Sequence, residues 1–263
     1  MRLSGAGEFD QEACSQKSVN TSAKATKREP YDPLADQEKA RQRQTWPAFE
    51  IPTSAEIETI ARLRGLSPEG VSLAAKRGLL FCADSEEGRA WVITDSRRVN
   101  AQARRLDGRP WERIDAKAWT LPGSVGAWPI GLREALSFPA IALVEGGPDL
   151  LAALHLAWCS DAENCLGVVA MMGRPPILES VLPRFAGKRI RIFADTDEPG
   201  LRAEGRWWHQ LETAGAKVDG WDLKGFMRFD GASVKDLNDF ELIDPDQWEA
   251  HHYAIEKAFA FQD

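Results

Sequence analysis

Two aspartates separated by one residue follow a short apolar run in the second half of the chain. Asp195 and Asp197 stand at the end of the run that starts at Arg189, and a helical pattern follows them. Alternate residues of an extended segment point the same way, so both carboxylates can face one point at the carboxyl end of a strand. Open α/β sheets bind their ligands at that end. Adjacent carboxylates repel each other unless a cation lies between them, and oxygen ligands suit Mg²⁺ or Mn²⁺, so the pair predicts a metal site.

Two further acidic motifs accompany this pair. Glu145 and Asp149 flank the turn that follows an earlier apolar run. Asp236 and Asp239 follow a later one. Because the carboxyl ends of parallel strands meet at one edge of a sheet, we expect the three motifs to lie close together. A lone Asp-x-Asp on a surface turn usually has no function, but three acidic motifs at matching strand ends favour a catalytic centre.

The elements that must position these acids alternate between strand and helix patterns, which is typical of a parallel sheet with flanking helices. Strands are predicted at Ile141–Val144, Val168–Met172, Ile190–Ala194 and Lys217–Leu223. Helices are predicted at Pro148–Trp158, Ile177–Phe185 and from Leu201 to about Ala214. A further helix is expected from Pro245 to about Phe261.

Three regions are predicted along the chain. Residues 1–45 are polar with few aliphatic residues and are expected to form a disordered tail. Residues 46–138 are expected to hold a helix pair followed by short strands, and residues 139–263 hold the alternating pattern. The helices of the pair are Glu56–Arg64 and Pro68–Arg77, and the short strands are Ala90–Thr94, Ala101–Leu106 and Ala116–Leu121. We expect the helix pair to pack on the next domain, with a DNA-contacting winged-helix fragment as the alternative.

Arginines and tryptophans are concentrated between the helix pair and the alternating region. The arginine strip comprises Arg97, Arg98, Arg104, Arg105, Arg109 and Arg113, and the tryptophans are Trp91, Trp111, Trp119 and Trp128. A groove for single-stranded nucleic acid uses both residue types, because arginine binds phosphates and aromatic rings stack on bases. The alternative is a solvated face over a tryptophan-rich core, and the sequence leaves both interpretations open.

Bulk composition restricts the class of protein. The formal net charge of −7 argues against a surface that binds nucleic acid throughout, so any such contact must come from a local patch. The four cysteines include no Cys-x-x-Cys pair, so we expect neither a zinc site nor a disulfide framework. No apolar run approaches the length of a membrane span, and we expect a cytoplasmic protein that has no membrane partner.

The acidic motifs resemble those of the Toprim family, the catalytic domain shared by bacterial DnaG-type primases, type IA and II topoisomerases and some nucleases. Glu145–Asp149 looks like the E-G-x-x-D motif of the family, and Asp195–Gly200 looks like its D-x-D-x-x-G motif. Lys235–Asp239 is similar to the K-D-x-[ND]-[ED] segment of primases. Upstream, Gln102–Leu106, Lys117–Ser124 and Trp128–Gly131 resemble the basic strand, the K-Y-x-x-x-P-x-[ST] segment and the L-[YF]-G segment of the primase polymerase core. Among the members of the family, the chain most resembles phage- and plasmid-type primases.

The resemblance implies a fold and a reaction. The fold is a Rossmann-like α/β Toprim domain with a mainly parallel sheet and flanking helices, preceded by a small basic mixed α/β subdomain and the helix pair. The reaction is metal-dependent synthesis of RNA primers on single-stranded DNA from nucleoside triphosphates, with a replicative helicase as a further partner. The alternatives are a Toprim-type nuclease and a non-catalytic DNA-binding accessory protein. The absence of a Cys/His cluster like the primase zinc module favours the accessory protein.

The resemblance also implies roles for individual residues. Asp195 and Asp197 would hold Mg²⁺ or Mn²⁺, with Asp236 or Asp239 as a further ligand. Glu145 would be a general acid/base or an outer ligand. Asp149 would orient Glu145 or cap the helix that follows. The residues implied in binding nucleic acid or nucleotide are Arg104, Arg105, Lys117 and Lys235, and Gly146 and Gly200 are implied as supporting residues.

Overall fold

The computed structural model describes residues 33–244 and Asp246. The predicted helix from Pro245 to Phe261 therefore falls almost entirely outside the described residues, as do residues 1–32. The residues from Leu34 onward belong to one compact unit. No helix in the described part of the chain is both long enough and apolar enough to cross a membrane.

The predicted helix pair is present and has well-formed ends. Helix α2 (Ser54–Arg64) begins with a capping box in which Thr53 and Glu56 satisfy each other's backbone N–H groups, and Gly65 ends it with a φ of 70°. Helix α3 (Pro68–Lys76) is capped by the hydroxyl of Ser67. These residues satisfy backbone groups that the helix leaves unpaired, so helix ends favour a few residue types that are easily recognised in the sequence.

A further helix, α1 (Pro33–Arg43), lies inside the segment 1–45 that we predicted to be disordered, and the prediction is wrong for these residues. The guanidinium of Arg43 donates to the carbonyl of Gly123 at 2.8 Å, and the indole of Trp46 donates to that of Pro122 at 2.6 Å. The segment docks by hydrogen bonds to distant backbone carbonyls, which a count of apolar residues cannot detect.

An antiparallel sheet follows the helix pair. Strands β1 (Leu80–Ser85), β2 (Gly88–Ile93), β3 (Gln102–Arg105) and β4 (Trp119–Thr120) are hydrogen-bonded in the order β1-β2-β3-β4. Strand β1 was not predicted, and the predicted strand Ala116–Leu121 shortens to the two residues of β4. Arg104 lies opposite Trp91 in the register of β2 and β3. The adjacent Arg105 therefore points to the other face of the sheet.

A parallel sheet carries the acidic motifs, and it confirms the predicted α/β class with flanking helices. Its elements in chain order are β5 (Ala140–Val144), α5 (Gly147–Cys159), β6 (Leu166–Ala170), a 3₁₀ helix (Glu179–Phe185), β7 (Arg189–Phe193), α6 (Glu198–Thr213) and β8 (Lys217–Gly220). Helix α4 (Leu132–Ala135) precedes the sheet, and a second 3₁₀ helix (Leu237–Leu242) follows it. The strand order is β6-β5-β7-β8. The chain thus reverses direction across the sheet at β5, where open sheets bind ligands.

One hydrophobic core joins the two sheets. Alternate residues of β5 face opposite sides, and all five are buried. Ala142 and its neighbours on one side pack with α5 and with Trp91 and Ile93 of β2. Ile141 and Leu143 pack on the other side, in a cluster that includes buried residues of α6. The boundary that we predicted between residues 138 and 139 therefore separates two sheets but does not separate two cores.

Candidate active site

The acids of the first two motifs emerge side by side at the carboxyl edge of the parallel sheet. Val144 of β5 and Phe193 of β7 are register partners. Glu145 follows the first of these directly, and Asp195 follows the second after one residue. The parallel pairing thus brings together two carboxylates that are fifty residues apart in the chain, as the strand pattern predicted.

Arg174 binds three of the predicted site residues at once. Its Nε lies 2.5 Å from Oε1 of Glu145, and its Nη2 lies 2.9 Å from Oδ2 of Asp195 and 3.0 Å from Oδ2 of Asp197. The two aspartates do face one point, as expected from their spacing. We did not predict Arg174. Its position shortly after β6, the strand beside β5, was the sequence feature that could have placed it at the site.

A tight turn holds the two aspartates. Asp197 is the N-cap of α6, and its Oδ1 accepts a hydrogen bond of 2.7 Å from the backbone N–H of Gly200. A Cβ atom at residue 200 would lie 2.4 Å from the carbonyl oxygen of Asp195. Gly200 is therefore needed because the backbone passes too close for any side chain.

The third acidic motif is hydrogen-bonded to this turn. The N–H of Thr196 donates to the carbonyl of Lys235 at 2.8 Å. Burial, then the neighbouring Asp239 and then Asp195 raise the pKa of Asp236 to about 6, and its carboxylate accepts a hydrogen bond of 3.1 Å from the N–H of Asp239. Asp239 instead accepts from Arg228 at 3.2 Å and from the N–H of Lys235 at 3.1 Å. Asp236 is thus near enough to the acidic centre for Asp195 to act on it electrostatically.

Asp149 is a buried link between motifs. Its carboxylate accepts hydrogen bonds from the N–H of Gly146 at 3.1 Å and from the N–H of Asn238 at 3.3 Å. Burial, with Asp236 and other acids nearby, raises its pKa well above the usual value. The bond from Gly146 matches the capping role that we considered for Asp149, because it satisfies a backbone N–H at the start of α5. The bond from Asn238 links α5 to the 3₁₀ helix of the third acidic motif.

The surroundings shift the pKa values of the acids in different directions. Burial and then Asp195 raise the pKa of Glu145 to about 7, and together they outweigh the opposing effect of Arg174. Burial also raises the pKa of Asp195. The N–H of Gly200 is the main cause that lowers the pKa of Asp197. The second oxygen of Glu145, Oε2, is buried and has no hydrogen-bond partner. Because buried polar atoms usually have a partner, this oxygen is still able to accept a proton or bind a cation.

The donor set fits a hard divalent cation, although the present arrangement does not form such a site. Among the residues that the structure describes, no group of three or more acidic, histidine or cysteine side chains is arranged to hold a metal ion. Glu145, Asp195 and Asp197 direct their oxygens at Arg174 instead. Carboxylate oxygens with one buried acceptor still unpartnered are suitable ligands for Mg²⁺ or Mn²⁺. Coordination requires the guanidinium to leave.

The two adjacent arginines of β3 have different environments. Arg105 is buried and pairs with Asp107 at 2.5 Å and with Glu87 at 3.3 Å, so this arrangement does not favour the nucleic-acid contact that we predicted for it. Arg104 lies on the other face, 5.9 Å from the ring of Trp91, and its Nε is buried without a hydrogen-bond partner. Its pKa is lowered, first by burial. Lys117 and Lys235 are exposed.

Most of the four tryptophans that accompany the arginine strip belong to the core. Trp91, Trp111 and Trp128 are buried, and the indole of Trp111 donates to the carbonyl of Ala103 at 3.2 Å. The interpretation as a tryptophan-rich core is therefore correct for these three. Trp119 is half-buried and lies 3.5 Å below the guanidinium carbon of Arg113. It is the member of the set that keeps exposed ring surface.

Arg64 is a second residue that sequence reasoning missed. It ends α2, and its Nε donates to Oδ1 of Asn238 at 3.0 Å, next to the third acidic motif. Asp236 and Asp149 both interact electrostatically with its guanidinium. The helix pair thus packs on the parallel-sheet region and brings a cation to the edge of the acidic centre. Its sequence position beside a helix cap gave no signal of this contact.

No protein-family model and no curated protein matches the chain, but several solved structures resemble it. The Aquifex aeolicus primase (zinc-binding and RNA polymerase domains) is 20% identical with a TM-score of 0.50, over 85% of this chain and 59% of that one. The primase fragment of the bacteriophage T7 primase-helicase protein is 19% identical with a TM-score of 0.47, over 76% and 72%. A DNA primase domain from Pseudomonas aeruginosa is 19% identical with a TM-score of 0.40, over 79% and 63%. The chain shares its fold with the Aquifex protein and spans less than two thirds of its length.

Proposed function

We propose that the protein is a primase-like Toprim enzyme that synthesises RNA primers on single-stranded DNA with Mg²⁺ or Mn²⁺, in the replication of a phage, plasmid or other mobile element. The observation that carries the proposal is the convergence of Glu145, Asp195 and Asp197 on one point at the carboxyl edge of a parallel sheet. The fold, which is similar to that of the Aquifex primase, supports it.

The acids divide the chemical roles. Asp195 and Asp197 would hold the ion, with Asp236 as the further ligand, because Asp239 is already paired within the chain. A bound Mg²⁺ would stabilise charge on the transferring phosphoryl group and orient the attacking hydroxyl. Glu145, with a pKa raised to about 7, is suited to accept or hold a proton at its unpartnered Oε2.

The basic residues would bind the anionic substrates. Arg104 lies where Asp149 and Asp236 act on its guanidinium, so we assign it to the triphosphate of the incoming nucleotide. Lys117 and Lys235 are exposed and would contact the phosphates of the template strand. A replicative helicase would be the protein partner, as the resemblance to primases implies.

A non-catalytic DNA-binding accessory protein is the second candidate, and one observation favours it. Arg174 already pairs with all three carboxylates, as an internal cation would in a site that no longer binds metal. The two candidates differ in one measurable property. The enzyme must bind a divalent ion at Asp195 and Asp197, and the accessory protein need not.

Ribonucleotide incorporation on single-stranded DNA, with Mg²⁺ or Mn²⁺, tests the proposal. Strand cutting is scored in the same reaction, so that a nuclease is recognised. Asp195→Asn should abolish incorporation, whereas Glu198→Gln should not, because Glu198 is exposed next to Asp197 and pairs with Arg202 outside the cluster. Metal-dependent cutting without incorporation would favour a nuclease. DNA binding without either activity would favour the accessory protein.

A further inference from the structure

The side chain of Arg174 lies on the same oxygens that a divalent ion would use, in a loop whose backbone is held in place. We propose that Arg174 is a tethered internal cation that competes with the metal ion for the acidic centre and exchanges with it by side-chain rotation. The inference rests on the metal site of the proposed function and adds the residue that sets the affinity of that site.

The competition follows from the atoms involved. One oxygen each of Glu145, Asp195 and Asp197 lies between 2.5 and 3.0 Å from a guanidinium nitrogen of Arg174. Mg²⁺ would need oxygens at roughly 2.0–2.1 Å around a single point. A planar guanidinium and a dehydrated ion cannot occupy that point together. Every metal-binding event at these oxygens must therefore break the three charge-assisted hydrogen bonds.

The backbone of the loop is anchored on both sides of the arginine. Before it, the N–H of Met171 donates to Val144 at 3.1 Å, and the N–H of Gly173 donates to the carbonyl of Glu145 at 3.0 Å. After it, the indole of Trp207 donates to the carbonyl of Pro175 at 2.8 Å. The carbonyl of Arg174 itself accepts from a guanidinium on α6. The Cα position is thus fixed, and release of the acids requires the side chain to move.

The side chain has a direction in which to move. It is 29% exposed, and its most exposed partner, Asp197, is 56% exposed, whereas Glu145 is 12% exposed. Rotation away from Glu145 therefore carries the guanidinium outward past Asp197 into solvent. A long arginine side chain can make this movement and keep its charge hydrated. Once outside, it stands at the rim of the centre, where anionic phosphates would arrive.

Calorimetric titration of the full-length protein with Mg²⁺ and with Mn²⁺ tests the proposal. Arg174→Met keeps an unbranched side chain but removes the competing charge, so both metals should bind at least about tenfold more tightly than in the wild type. Arg41→Met is the matched control. It removes an exposed arginine that pairs with Glu38 on the same helix, and its metal affinity should equal that of the wild type.

Thermal unfolding supplies a second measurement and a check on folding. Without metal, Arg174→Met should melt below the wild type, because three carboxylates face each other without a cation. Saturating Mg²⁺ should then raise its melting temperature more than it raises that of the wild type. Arg174→Lys keeps the charge but loses the planar fork, and it should bind metal with intermediate affinity. This variant keeps the test valid if the methionine variant does not fold.

Each outcome separates the inference from the proposed function. If the wild type and Arg174→Met bind metal equally, or the variant binds less tightly, the competition does not exist, and the metal site of the proposed function stands. If neither protein binds either metal, both the inference and the metal site are wrong. Tighter binding in the variant, with an unchanged Arg41→Met control, is the expected result.

Discussion

Glu145 and Asp197 bind the same guanidinium, yet their surroundings move their pKa values in opposite directions. Burial raises that of Glu145 to about 7, whereas the N–H of Gly200 is the first cause that lowers that of Asp197. Carboxyl groups whose pKa values are pushed apart usually have different roles in one site. The residue with the raised value is suited to proton transfer, and the residue with the lowered value is suited to remain an anionic ligand.

The first prediction concerns this anionic ligand. Asp197→Asn should weaken Mg²⁺ binding by at least about 10–100-fold, because it removes a charged oxygen from the centre. The fold should be retained, since an amide oxygen can still accept the N–H of Gly200 that caps α6. Calorimetry and circular dichroism measure the two effects. Wild-type affinity in this variant would show that the ion, if bound, lies elsewhere.

A second prediction concerns the thiols. Cys82 is buried, and burial is the first cause that raises the pKa of its thiol to about 12. Thiol reagents at pH 8 should therefore label the exposed Cys165 in the native protein, but should label Cys82 only after denaturation. Cys82→Ala should leave native labelling unchanged and remove one reactive thiol from the denatured protein.

The same shift makes stability depend on pH. The unfolded chain loses this proton near the ordinary value of 9.0, whereas the folded chain keeps it to about 12. Between these values the unfolded state binds fewer protons, so the free energy of unfolding should fall as the pH rises above 9. The loss should be smaller in Cys82→Ala, and urea unfolding across this pH range compares the two proteins.

At the scale of elements, α6 contains two glycines with different environments. Gly200→Ala would place a Cβ atom 2.4 Å from the carbonyl oxygen of Asp195, whereas Gly205 has open space at the same position. We expect Gly200→Ala to cost roughly 1–3 kcal/mol of stability and to abolish activity, because the turn that holds both aspartates must shift. Gly205→Ala should instead stabilise the protein by roughly 0.5–1 kcal/mol with activity retained. Equal effects of the two substitutions in chemical denaturation would contradict this account.

The docking of helix α1 predicts that residues 33–45 stabilise the fold, although they contain few apolar residues. A chain that starts at Pro33 should be more stable than one that starts at Trp46 by roughly 1–2 kcal/mol, because the shorter chain loses the bond from Arg43 to Gly123 and the helix around it. Both chains should keep the parallel sheet. Urea unfolding measures the difference, and equal midpoints would mean that the docking contributes nothing.

At the scale of the whole molecule, the arginine strip is divided between paired and exposed side chains. Arg105 is buried and pairs with Asp107 and Glu87. The exposed members are Arg97, Arg98, Arg109 and Arg113. In a chain with a net charge of −7, any single-strand contact must therefore come from an exposed set that includes these four arginines and Lys117.

Salt dependence distinguishes the exposed cations from the paired ones. If Lys117 contacts a template phosphate, Lys117→Ala should reduce the log–log salt slope of single-strand binding by about 0.7. Arg105→Ala should leave the slope unchanged and should lower the melting temperature, because its partners are left without their cation. Fluorescence anisotropy with labelled oligonucleotides across a salt series measures the slope. A slope that changes for Arg105→Ala alone would reverse this assignment.

The sequence by itself determined the features that depend on neighbouring residues. Alternating strand and helix patterns predicted the parallel sheet, and caps such as Ser67 predicted the helix pair, because both signals come from local backbone chemistry. The positions of Glu145, Asp195 and Asp197 after strands predicted that they would meet, since parallel pairing aligns strand ends. Here the local pattern and the final structure agree.

The tertiary structure alone decided which other side chains contact these acids and how the N-terminal segment docks. The sequence does not show that Arg174 reaches the acids after β5 and β7, because that contact depends on the position of β6 beside β5 and on an anchored loop. It also does not show that Arg104 faces the acidic centre while Arg105 is paired on the other side, because a shift of one residue in the register of β3 would exchange them. Docking of α1 depends on backbone carbonyls about eighty residues away, at Gly123. Such contacts are set by long-range packing, which no local pattern of residues records.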